Sequence, residues 1–242
     1  MGGLPVLRYR AGGTERMDDP GSDAALLENT LRQFAWVNLF LTRIRYLLRN
    51  HVLGAMRERP DGPGRPYRVV DLGAGACETA AWLIRRAARE GLRVDVTACD
   101  HDPRVVAYAR RRYGHVAGLR IVEADVVDWA FDPAPDFVFG NHILHHLDDA
   151  QCERLLARLS ALEGAGIVLS DLRRSAVAYA LYAVASLPLR RSFARTDGLL
   201  SIRRGFRVPE LEALVRRSTP GAGAWRVYAF FPFRIVLVRM AR

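Results

Sequence analysis

The residues from Val69 to Cys77 combine a short apolar run with a glycine-containing turn, Asp71-Leu72-Gly73-Ala74-Gly75. Glycine lets a backbone approach a ligand closely, and the N-terminus of a following helix offers N–H groups without intrahelical partners. A strand that leads into such a turn and then into a helix is therefore a candidate nucleotide-binding site. The same turn also fits a tight strand-to-helix connection that binds nothing, so neighbouring residues must distinguish the two.

Two acidic residues stand at the ends of the next two predicted strands. Asp100 ends the second strand, where a carboxylate can accept hydrogen bonds from both hydroxyls of a ribose. Asp125 follows the third strand, where a carboxylate can accept from the amino group of an adenine. Each acid alone is more often a turn or capping residue. Because both stand in register with the glycine turn after three successive strands, we interpret the three features as one site.

Three histidines, His142, His145 and His146, follow the fourth predicted strand. A helix predicted over residues 142–162 places all three on one face. They have three interpretations: residues that cap or pack at the helix start, a general base that takes a proton from an acceptor hydroxyl, or a metal site. An imidazole pKa of about 6.5 suits a base. His142 is nearest to the strand end, so we expect its side chain to face the pocket.

Asp171 follows the fifth predicted strand, residues 166–170. Ligands of open α/β sheets bind beyond the carboxyl ends of the strands, so Asp171 is expected to point toward an acceptor pocket. There it could orient a substrate hydroxyl, or it could cap the next helix. The candidate catalytic residues are therefore His142, His146 and Asp171.

These residues need a sheet to bring them together, and the chain predicts one. Short apolar runs alternate with helical segments, which is typical of strand–helix–strand units and a mostly parallel sheet. The predicted strands cover residues 68–72, 93–99, 119–123, 136–140, 166–170, 225–231 and 233–240. The predicted helices of the same region cover residues 77–90, 103–113, 142–162, 175–189 and 209–217.

The segments around this core have a different character. An apolar stripe before the glycine turn predicts helices with a bend near Asn50-His51, and residues 190–206 predict an irregular, arginine-rich segment. We expect a flexible tail over residues 1–22, a helical lid over residues 23–60 and one α/β domain over residues 65–242. Within this domain we expect a helical insertion over residues 172–207.

Residues 65–240 resemble the seven-stranded class I S-adenosylmethionine-dependent methyltransferases. The string VVDLGAGAC looks like their first motif, TACD like the ribose-binding motif, EAD like the adenine-binding motif and PDFVFGNHILHHLDD like the fourth-strand motif. The resemblance implies an α/β, Rossmann-like fold with a seven-stranded, mostly parallel sheet and an antiparallel C-terminal hairpin. One departure is Cys77, which stands where the family has its third glycine.

The resemblance also implies S-adenosylmethionine as the cofactor. A dinucleotide fits less well, because the GxGxxG spacing is absent and a pyrophosphate would face Glu78. The implied cofactor contacts are Asp71, Gly73, Ala74, Gly75, Asp100, His101, Asp125, Val126 and Asn141. Some ubiquinone-pathway O-methyltransferases hold a divalent cation in an acidic-and-histidine cluster, but they carry carboxylates where this chain has His142 and His145. We therefore expect no metal requirement.

The composition restricts the class of partner. The net charge is +10, which could suggest nucleic-acid binding, but all 36 basic residues are arginine and they are scattered along the chain. This pattern indicates a compositional bias, and it favours a solvated surface rather than a nucleic-acid binding face. No run reaches the roughly 18–20 apolar residues of a transmembrane helix, and the N-terminus lacks the apolar region of a secretory signal. Three widely spaced cysteines predict neither disulfides nor structural zinc. These features predict a cytoplasmic protein with a small-molecule acceptor.

The combined prediction is O-methylation of a small phenolic, quinone-like or polyketide-type metabolite. The apolar stretch over residues 176–189 could form one wall of a lipophilic pocket, opposite the N-terminal lid. Two rivals remain open. An RNA methyltransferase would need a basic face beside the pocket, for which residues 190–207 are the candidate, and a catalytically idle cofactor-binding subunit would keep the same motifs.

Overall fold

A computed structural model describes residues 7–59, 64–219 and 225–240, without the side chains of residues 37–40. The described residues form one seven-stranded sheet with the order β3-β2-β1-β4-β5-β7-β6. Its strands are β1 (Tyr67–Leu72), β2 (Val94–Asp100), β3 (Leu119–Glu123), β4 (Phe137–Asn141), β5 (Gly166–Leu172), β6 (Arg226–Phe230) and β7 (Arg234–Arg239).

Strands β1 to β5 run parallel, whereas β7 pairs antiparallel with both β5 and β6. This topology confirms the predicted Rossmann-like sheet with an antiparallel C-terminal hairpin. The central strands read as nearly continuous apolar runs because helices cover both faces of the sheet. Leu72 pairs with Cys99 on one side and with Gly140 on the other, so the carboxyl ends of β1, β2 and β4 meet at one edge.

Helices flank this sheet, and several begin at capping residues. Asp102 accepts the backbone N–H of Arg104, and Asp148 forms a reciprocal cap with Gln151. Among the described residues, no helix combines the length and the apolar character needed to cross a membrane. The α-helices are α1 (Ala24–Leu41), α2 (Ile44–Leu47), α3 (Gly54–Arg57), α4 (Glu78–Arg89), α5 (Pro103–Tyr113), α6 (Asp149–Ser160), α7 (Ala176–Ala185), α8 (Ala194–Arg204) and α9 (Val208–Ser218).

The N-terminal helices break at a different place from the predicted bend near Asn50-His51. The break lies at Arg43, whose left-handed backbone (φ 51°) separates α1 from α2. From Ile44 the helical path continues through Asn50 and His51 as a π-helical segment, Leu48–Leu53, that leads into α3. The wider π turns keep Leu48 and Val52 in the core, so the apolar stripe does not need a bend there.

The predicted flexible tail over residues 1–22 is wrong for residues 7–22, and residues 1–6 lie outside the described residues. Residues 10–19, here called the strap, lie against α8 and the segment after β4. The guanidinium of Arg10 donates to the carbonyls of Leu147 and Arg204. The carboxylate of Asp197 in α8 accepts the backbone N–H groups of Arg16 and Met17. These contacts are long-range, so composition alone could not reveal them.

The insertion between β5 and α9 contains two helices, α7 and α8, where we predicted one helix and an irregular segment over residues 190–206. Helix α8 was missed because its buried face consists mainly of small or polar residues, which leave no apolar periodicity. Tyr182 of α7 packs so closely on Gly198 that a Cβ atom there would lie 2.3 Å from its hydroxyl oxygen. The same hydroxyl donates to the carbonyl of Ala194 at 2.7 Å.

Candidate functional site

A cavity of about 1080 Å³ opens at the edge where the carboxyl ends of the strands meet. Its wall includes all nine residues predicted as cofactor contacts, together with His142 and His146. Asp171 lies just behind this wall and contacts His145, which does line the cavity. The structure therefore brings the predicted residues to one place, and their roles there remain predictions.

The glycine turn after β1 forms the floor of the cavity. Gly73 has a left-handed backbone (φ 61°), and a Cβ atom there would lie 2.7 Å from Cδ1 of Ile143. Only glycine fits both conditions without displacing that side chain. The backbone N–H of Ala74 donates to the carbonyl of Cys99 at 2.9 Å, which fixes the turn against the end of β2.

Cys77, the departure from the family's third glycine, occupies the position just before α4. Its backbone is left-handed (φ 65°), a conformation that glycine adopts without strain and that other residues adopt rarely. The thiol is buried, and burial raises its pKa far above the ordinary range. The loop therefore keeps the shape that a glycine would give it, with a compact apolar side chain in the core.

The acids around the turn are oriented by the backbone. Asp100 accepts the N–H of Gly75 with Oδ2 at 2.9 Å and the N–H of Asp102 with Oδ1 at 3.1 Å. Asp71 is also buried, and its Oδ2 atom has no hydrogen-bond partner. A buried carboxylate oxygen without a partner is costly, so this atom indicates a donor or a cation that the protein itself does not supply.

Electrostatics at the turn favour a cation and disfavour a phosphate. Burial, reinforced by the charges of Asp100 and Glu78, raises the pKa of Asp71 well above its usual value. Burial also raises the pKa of Asp100 and that of Glu78. Three carboxyl groups thus line one region of the cavity, and burial raises the pKa of each, although Arg45 and Arg112 lie near Glu78 and His101 lies near Asp100. A positively charged ligand would stabilise their ionised forms.

Residues after β2 and β3 border the outer part of the same region. The carboxylate of Asp125 accepts the backbone N–H of Val127 at 2.8 Å, so it also caps the turn that follows β3. Val126 is buried and offers an apolar surface, whereas His101 is mostly exposed. Both residues line the cavity on either side of Asp100. This arrangement suits the edge and face of an adenine, as the sequence predicted for Asp125.

The histidines line another wall of the cavity, and the mainly helical segment predicted over residues 142–162 begins later than expected. His142 has a left-handed backbone (φ 65°), a short 3₁₀ turn spans Leu144–His146, and α6 begins only at Asp149. The three rings still cluster because this tight turn folds back over β4. The ring centroids of His142 and His145 are 5.8 Å apart, and those of His145 and His146 are 4.2 Å apart.

Each of the two later histidines is held by a carboxylate. Nδ1 of His145 lies 2.6 Å from Oδ1 of Asp171, and Nδ1 of His146 lies 3.0 Å from Oδ2 of Asp18 in the strap. Burial alone would lower the pKa of His146, but the hydrogen bond to Asp18 and the charge of Glu15 raise that pKa to about 9. In this arrangement His146 is protonated at neutral pH, a state that cannot accept a proton.

Arg234, at the start of β7, is a cavity residue that sequence reasoning missed. Its guanidinium is buried and makes hydrogen bonds to Nε2 of His142 (3.0 Å), Oδ1 of Asn141 (2.7 Å) and Oγ of Ser170 (3.1 Å). Burial lowers its pKa to about 10, which still leaves it charged at neutral pH. No pattern in the sequence distinguishes it, because one arginine among 36 carries no signal of its position.

Burial, followed by the charge of Arg234, holds the pKa of His142 well below its usual value. The ring is therefore neutral at physiological pH. A neutral imidazole has one bare nitrogen, and Nε2 of His142 accepts a hydrogen bond from Arg234, so the ring can take a proton from a ligand in the cavity only when that hydrogen bond is given up. Arg234 and His142 together place a fixed positive charge beside a neutral acceptor group.

The comparison with known families concerns the part of the cavity around the glycine turn. Residues 69–166 match a family model described as a methyltransferase domain. Over these residues, which are about two fifths of its length, the chain is similar to that family. The similarity agrees with the strand order and with the glycine turn, and we therefore compare the charge and shape of the cavity floor with S-adenosylmethionine.

The proteins to which the chain is similar differ in length and substrate. Trans-aconitate 2-methyltransferase of Acidovorax sp. strain JS42 is 33% identical over 105 residues, which cover 43% of this chain and 37% of the relative. The chain thus matches about a third of the length of that curated relative.

Solved structures share the fold at low sequence identity. Human N-acetylserotonin methyltransferase, crystallised with S-adenosylmethionine, is 19% identical with a TM-score of 0.52, and the match covers 72% of this chain and 48% of that one. The plantazolicin methyltransferase BpumL, crystallised with S-adenosylhomocysteine, is 13% identical with a TM-score of 0.63. That match covers 90% of this chain and 95% of that chain, so the fold is similar over nearly the whole length.

Proposed function

We propose that the chain uses S-adenosylmethionine to methylate an oxygen atom of a small, lipophilic acceptor. The observation that carries the proposal is a single cavity with two chemically different walls. One wall offers carboxylates and a glycine turn, and the other offers a buried arginine beside a neutral histidine. The first suits a cationic adenosine ligand, and the second suits an oxygen that becomes negatively charged.

The residues of the floor fit the cofactor. S-adenosylmethionine carries a sulfonium and an ammonium group, and either charge would compensate the unpaired Oδ2 atom of Asp71. Asp100 is already oriented by two backbone N–H groups, and its remaining lone pairs can accept from ribose hydroxyls. When bound, the cofactor supplies a methyl group that an acceptor oxygen can attack directly. The chain therefore needs no covalent nucleophile.

The residues of the opposite wall fit the acceptor. A hydroxyl that contacts both His142 and Arg234 can give its proton to the ring and keep its negative charge beside the guanidinium. The hydrogen-bond partners of Arg234 among the described residues are neutral groups, so its charge is available to an anionic oxygen. A base with a low pKa matches an acidic hydroxyl, such as that of a phenol. The cavity then aligns the reactants and excludes water.

The mouth of the cavity is apolar. Leu41, Leu181 and Phe231 line it and remain 48%, 57% and 75% exposed, although they come from α1, α7 and the turn between β6 and β7. Apolar side chains that are exposed around an opening suit a lipophilic ligand. This favours phenolic, quinone-like or polyketide-type acceptors. A polyketide synthase of Aspergillus terreus is also among the relatives, at 30% identity over 104 residues that cover 43% of this chain and 4% of that protein.

The arginine-rich segment offers weak support for an RNA substrate. The guanidinium of Arg204 donates to the carbonyls of Gly13, His145 and His146, and that of Arg207 donates to the carbonyl of Leu7. These side chains hold the strap in place. They are therefore engaged within the chain and not arranged as a free basic face.

The test is transfer of a radiolabelled methyl group from S-adenosylmethionine to a panel of lipophilic phenols, small carboxylic acids and RNA. We expect labelled phenol product from the wild-type chain, and none from the Asp100→Ala variant at a limiting cofactor concentration. Label in RNA, or cofactor binding without transfer to any member of the panel, would contradict the proposal.

A further inference from the structure

We propose that Glu15, His145 and His146 bind one divalent transition-metal ion, of the class that includes zinc, on the acceptor wall of the cavity. The three side chains come from the strap and from the turn after β4, and all three line the cavity. The binding site does not depend on the proposed function. Only the suggestion that the ion helps an acceptor hydroxyl to lose its proton rests on the proposed function.

The distances among the three groups suit a shared ion. Oε1 of Glu15 lies 3.6 Å from Nε2 of His145, and Oε2 of Glu15 lies 4.0 Å from Nε2 of His146. The candidate ligand atoms all lie within 4.8 Å of one another. Zinc bonds of about 2.0–2.2 Å in tetrahedral geometry place neighbouring ligand atoms about 3.3–3.5 Å apart. A shift of well under 1 Å at each of these side chains would close the site.

The outer partners of the two imidazoles strengthen this assignment. The carboxylate of Asp171 binds Nδ1 of His145 at 2.6 Å, and the carboxylate of Asp18 binds Nδ1 of His146 at 3.0 Å. An imidazole that donates from Nδ1 to a carboxylate offers Nε2 to a metal ion, which is the common arrangement for metal-bound histidines, and an ion bound at His146 would displace the proton that the ring otherwise carries on Nε2. Both Nε2 atoms point toward the same residue, Glu15.

A second grouping, His142 with His145 and Asp171, is also compact but fits an ion less well. There the carboxylate of Asp171 and Nδ1 of His145 are already hydrogen-bonded to each other at 2.6 Å, which is closer than two ligands of one ion would stand. Asp171 also accepts the backbone N–H groups of His145 and Leu172. It is therefore an orienting group and not a ligand.

The charge of the cluster also favours a cation. Three carboxylates, those of Glu15, Asp18 and Asp171, surround two imidazoles, and Glu15 and Asp171 are completely buried. The hydroxyl of Ser201 donates to Oε1 of Glu15 at 2.7 Å, which leaves Oε2 without a hydrogen bond from that group. The guanidinium of Arg204 donates to backbone carbonyls nearby and offsets part of this charge. A divalent ion is compatible with the carboxylates that remain.

This inference replaces the expectation of a chain that uses no metal. A metal site was one of the interpretations left open for the histidines, but the third ligand could not be recognised because Glu15 lies far from them along the chain. With three protein ligands, a tetrahedral ion keeps one position for an exogenous oxygen. An acceptor hydroxyl bound there would lose its proton more easily, and His142 or solvent could take that proton. No change of oxidation state is involved.

The experiment uses tag-free, full-length chain that has been dialysed against a strong chelator and then titrated with Co²⁺, with visible absorption as the readout. We expect one equivalent to bind and to be displaced by Zn²⁺. Glu15→Gln and His146→Ala should each weaken binding at least about 100-fold, and Asp18→Asn about 10- to 100-fold. His115→Ala, a change at an exposed histidine away from the cavity, should leave binding unchanged.

Thermal melting of each variant distinguishes a lost ligand from a lost fold, and Glu15→Gln preserves the shape of the strap. Absence of stoichiometric cobalt binding by the wild-type chain, or unchanged binding in folded Glu15→Gln and His146→Ala, would overturn the site. The two proposals fail separately. Metal binding without methyl transfer would refute the proposed function, and methyl transfer by a chain that binds no cobalt would refute the metal site.

Discussion

The two walls of the cavity are built in different ways. The cofactor wall comes from successive strand ends between residues 71 and 126, so neighbours in the fold are also near neighbours along the chain. The acceptor wall joins the strap, the turn after β4, helix α8 and the start of β7, which are separated by up to two hundred residues. The residues of the cofactor wall are therefore recognisable as short sequence motifs. The residues of the acceptor wall come together only when distant parts of the chain fold against one another.

The walls also differ in charge. Asp71, Glu78 and Asp100 make the cofactor wall acidic, whereas the acceptor wall combines the positive charge of Arg234, beside His142, with the carboxylates of Glu15 and Asp18, where we propose the metal ion. A ligand pair that spans the cavity should therefore carry positive charge on one side and develop negative charge on the other. Substitutions on the two walls should have separable effects, and the following predictions test that separation from the largest expected effect to the smallest.

The largest effect is expected at His142. His142→Ala removes the group that we assign as the proton acceptor, so the rate of methyl transfer should fall by about 100- to 10,000-fold. Cofactor affinity should change little, because the ring lies on the acceptor wall. Single-turnover kinetics measure the rate, and calorimetry with S-adenosylhomocysteine measures the affinity. Near-normal turnover of His142→Ala on the preferred acceptor would contradict this assignment. Alignment of the two reactants would then be the main source of catalysis.

The state of His142 also sets a pH dependence. Because burial and Arg234 lower its pKa well below the usual value, the ring stays neutral as the pH falls from 8 to 6. The transfer rate should therefore not decline through the ordinary imidazole range on account of this residue, and a decline should begin only at more acidic pH. A clear inflection at about pH 6.5 that disappears in His142→Ala would show that the ring is not shielded in this way.

Asp100→Ala should act on the other wall. The substitution removes charge-assisted hydrogen bonds to the ribose, which should cost about 2–4 kcal/mol of cofactor binding. Asp95→Ala, a change at an exposed acid on the same strand, is the matched control and should bind normally. Calorimetry with S-adenosylhomocysteine measures both variants. If Asp100→Ala bound as tightly as the control, the ribose would have to lie elsewhere.

Arg234→Met keeps the length of the side chain and removes its charge. The KM for the acceptor should rise by about 10- to 100-fold, since a charge-assisted contact to the oxygen is lost. The KM for S-adenosylmethionine should stay within about twofold of the wild-type value. Steady-state kinetics with each substrate varied in turn separate the two. A larger increase in the KM for S-adenosylmethionine than in the KM for the acceptor would contradict the assignment of Arg234 to acceptor binding.

The smallest effect concerns the charge of the cofactor wall. The raised pKa of Asp71 means that its carboxyl group gains a proton, and loses its negative charge, at a higher pH than an ordinary aspartate. Affinity for the positively charged S-adenosylmethionine should therefore fall several-fold as the pH is lowered through that raised pKa. S-adenosylhomocysteine, which lacks the sulfonium charge, should be less sensitive, and Asp71→Asn should flatten both calorimetric profiles. Equal pH sensitivity for the two ligands would contradict this electrostatic account.

The cofactor wall and the acceptor wall also differ in how well the sequence predicts them. Apolar periodicity predicted the strands and a mostly parallel sheet, and the glycine turn with the strand ends placed Asp71, Asp100 and Asp125 at one edge, because each feature is encoded by adjacent residues. Helix α8 was missed because its buried face includes Asp197, Gly198 and Ser201, which leave no apolar repeat.

The acceptor wall could not be predicted for a different physical reason. The left-handed backbone of His142 replaces the start of the expected helix with a tight turn, and Glu15 and Asp18 from the strap complete the cluster around His145 and His146. Such contacts depend on long-range packing, which a single sequence does not record. The part of the site that determines the acceptor is thus the part that only the fold could reveal.

A crystal structure of the chain with S-adenosylhomocysteine would test the central claim most directly. The account predicts ribose hydroxyls within hydrogen-bond distance of Asp100, a charged group of the ligand near Oδ2 of Asp71, and the sulfur atom directed toward the wall that holds His142 and Arg234. An adenosine group bound on the acceptor wall, or a sulfur atom directed away from His142 and Arg234, would contradict it.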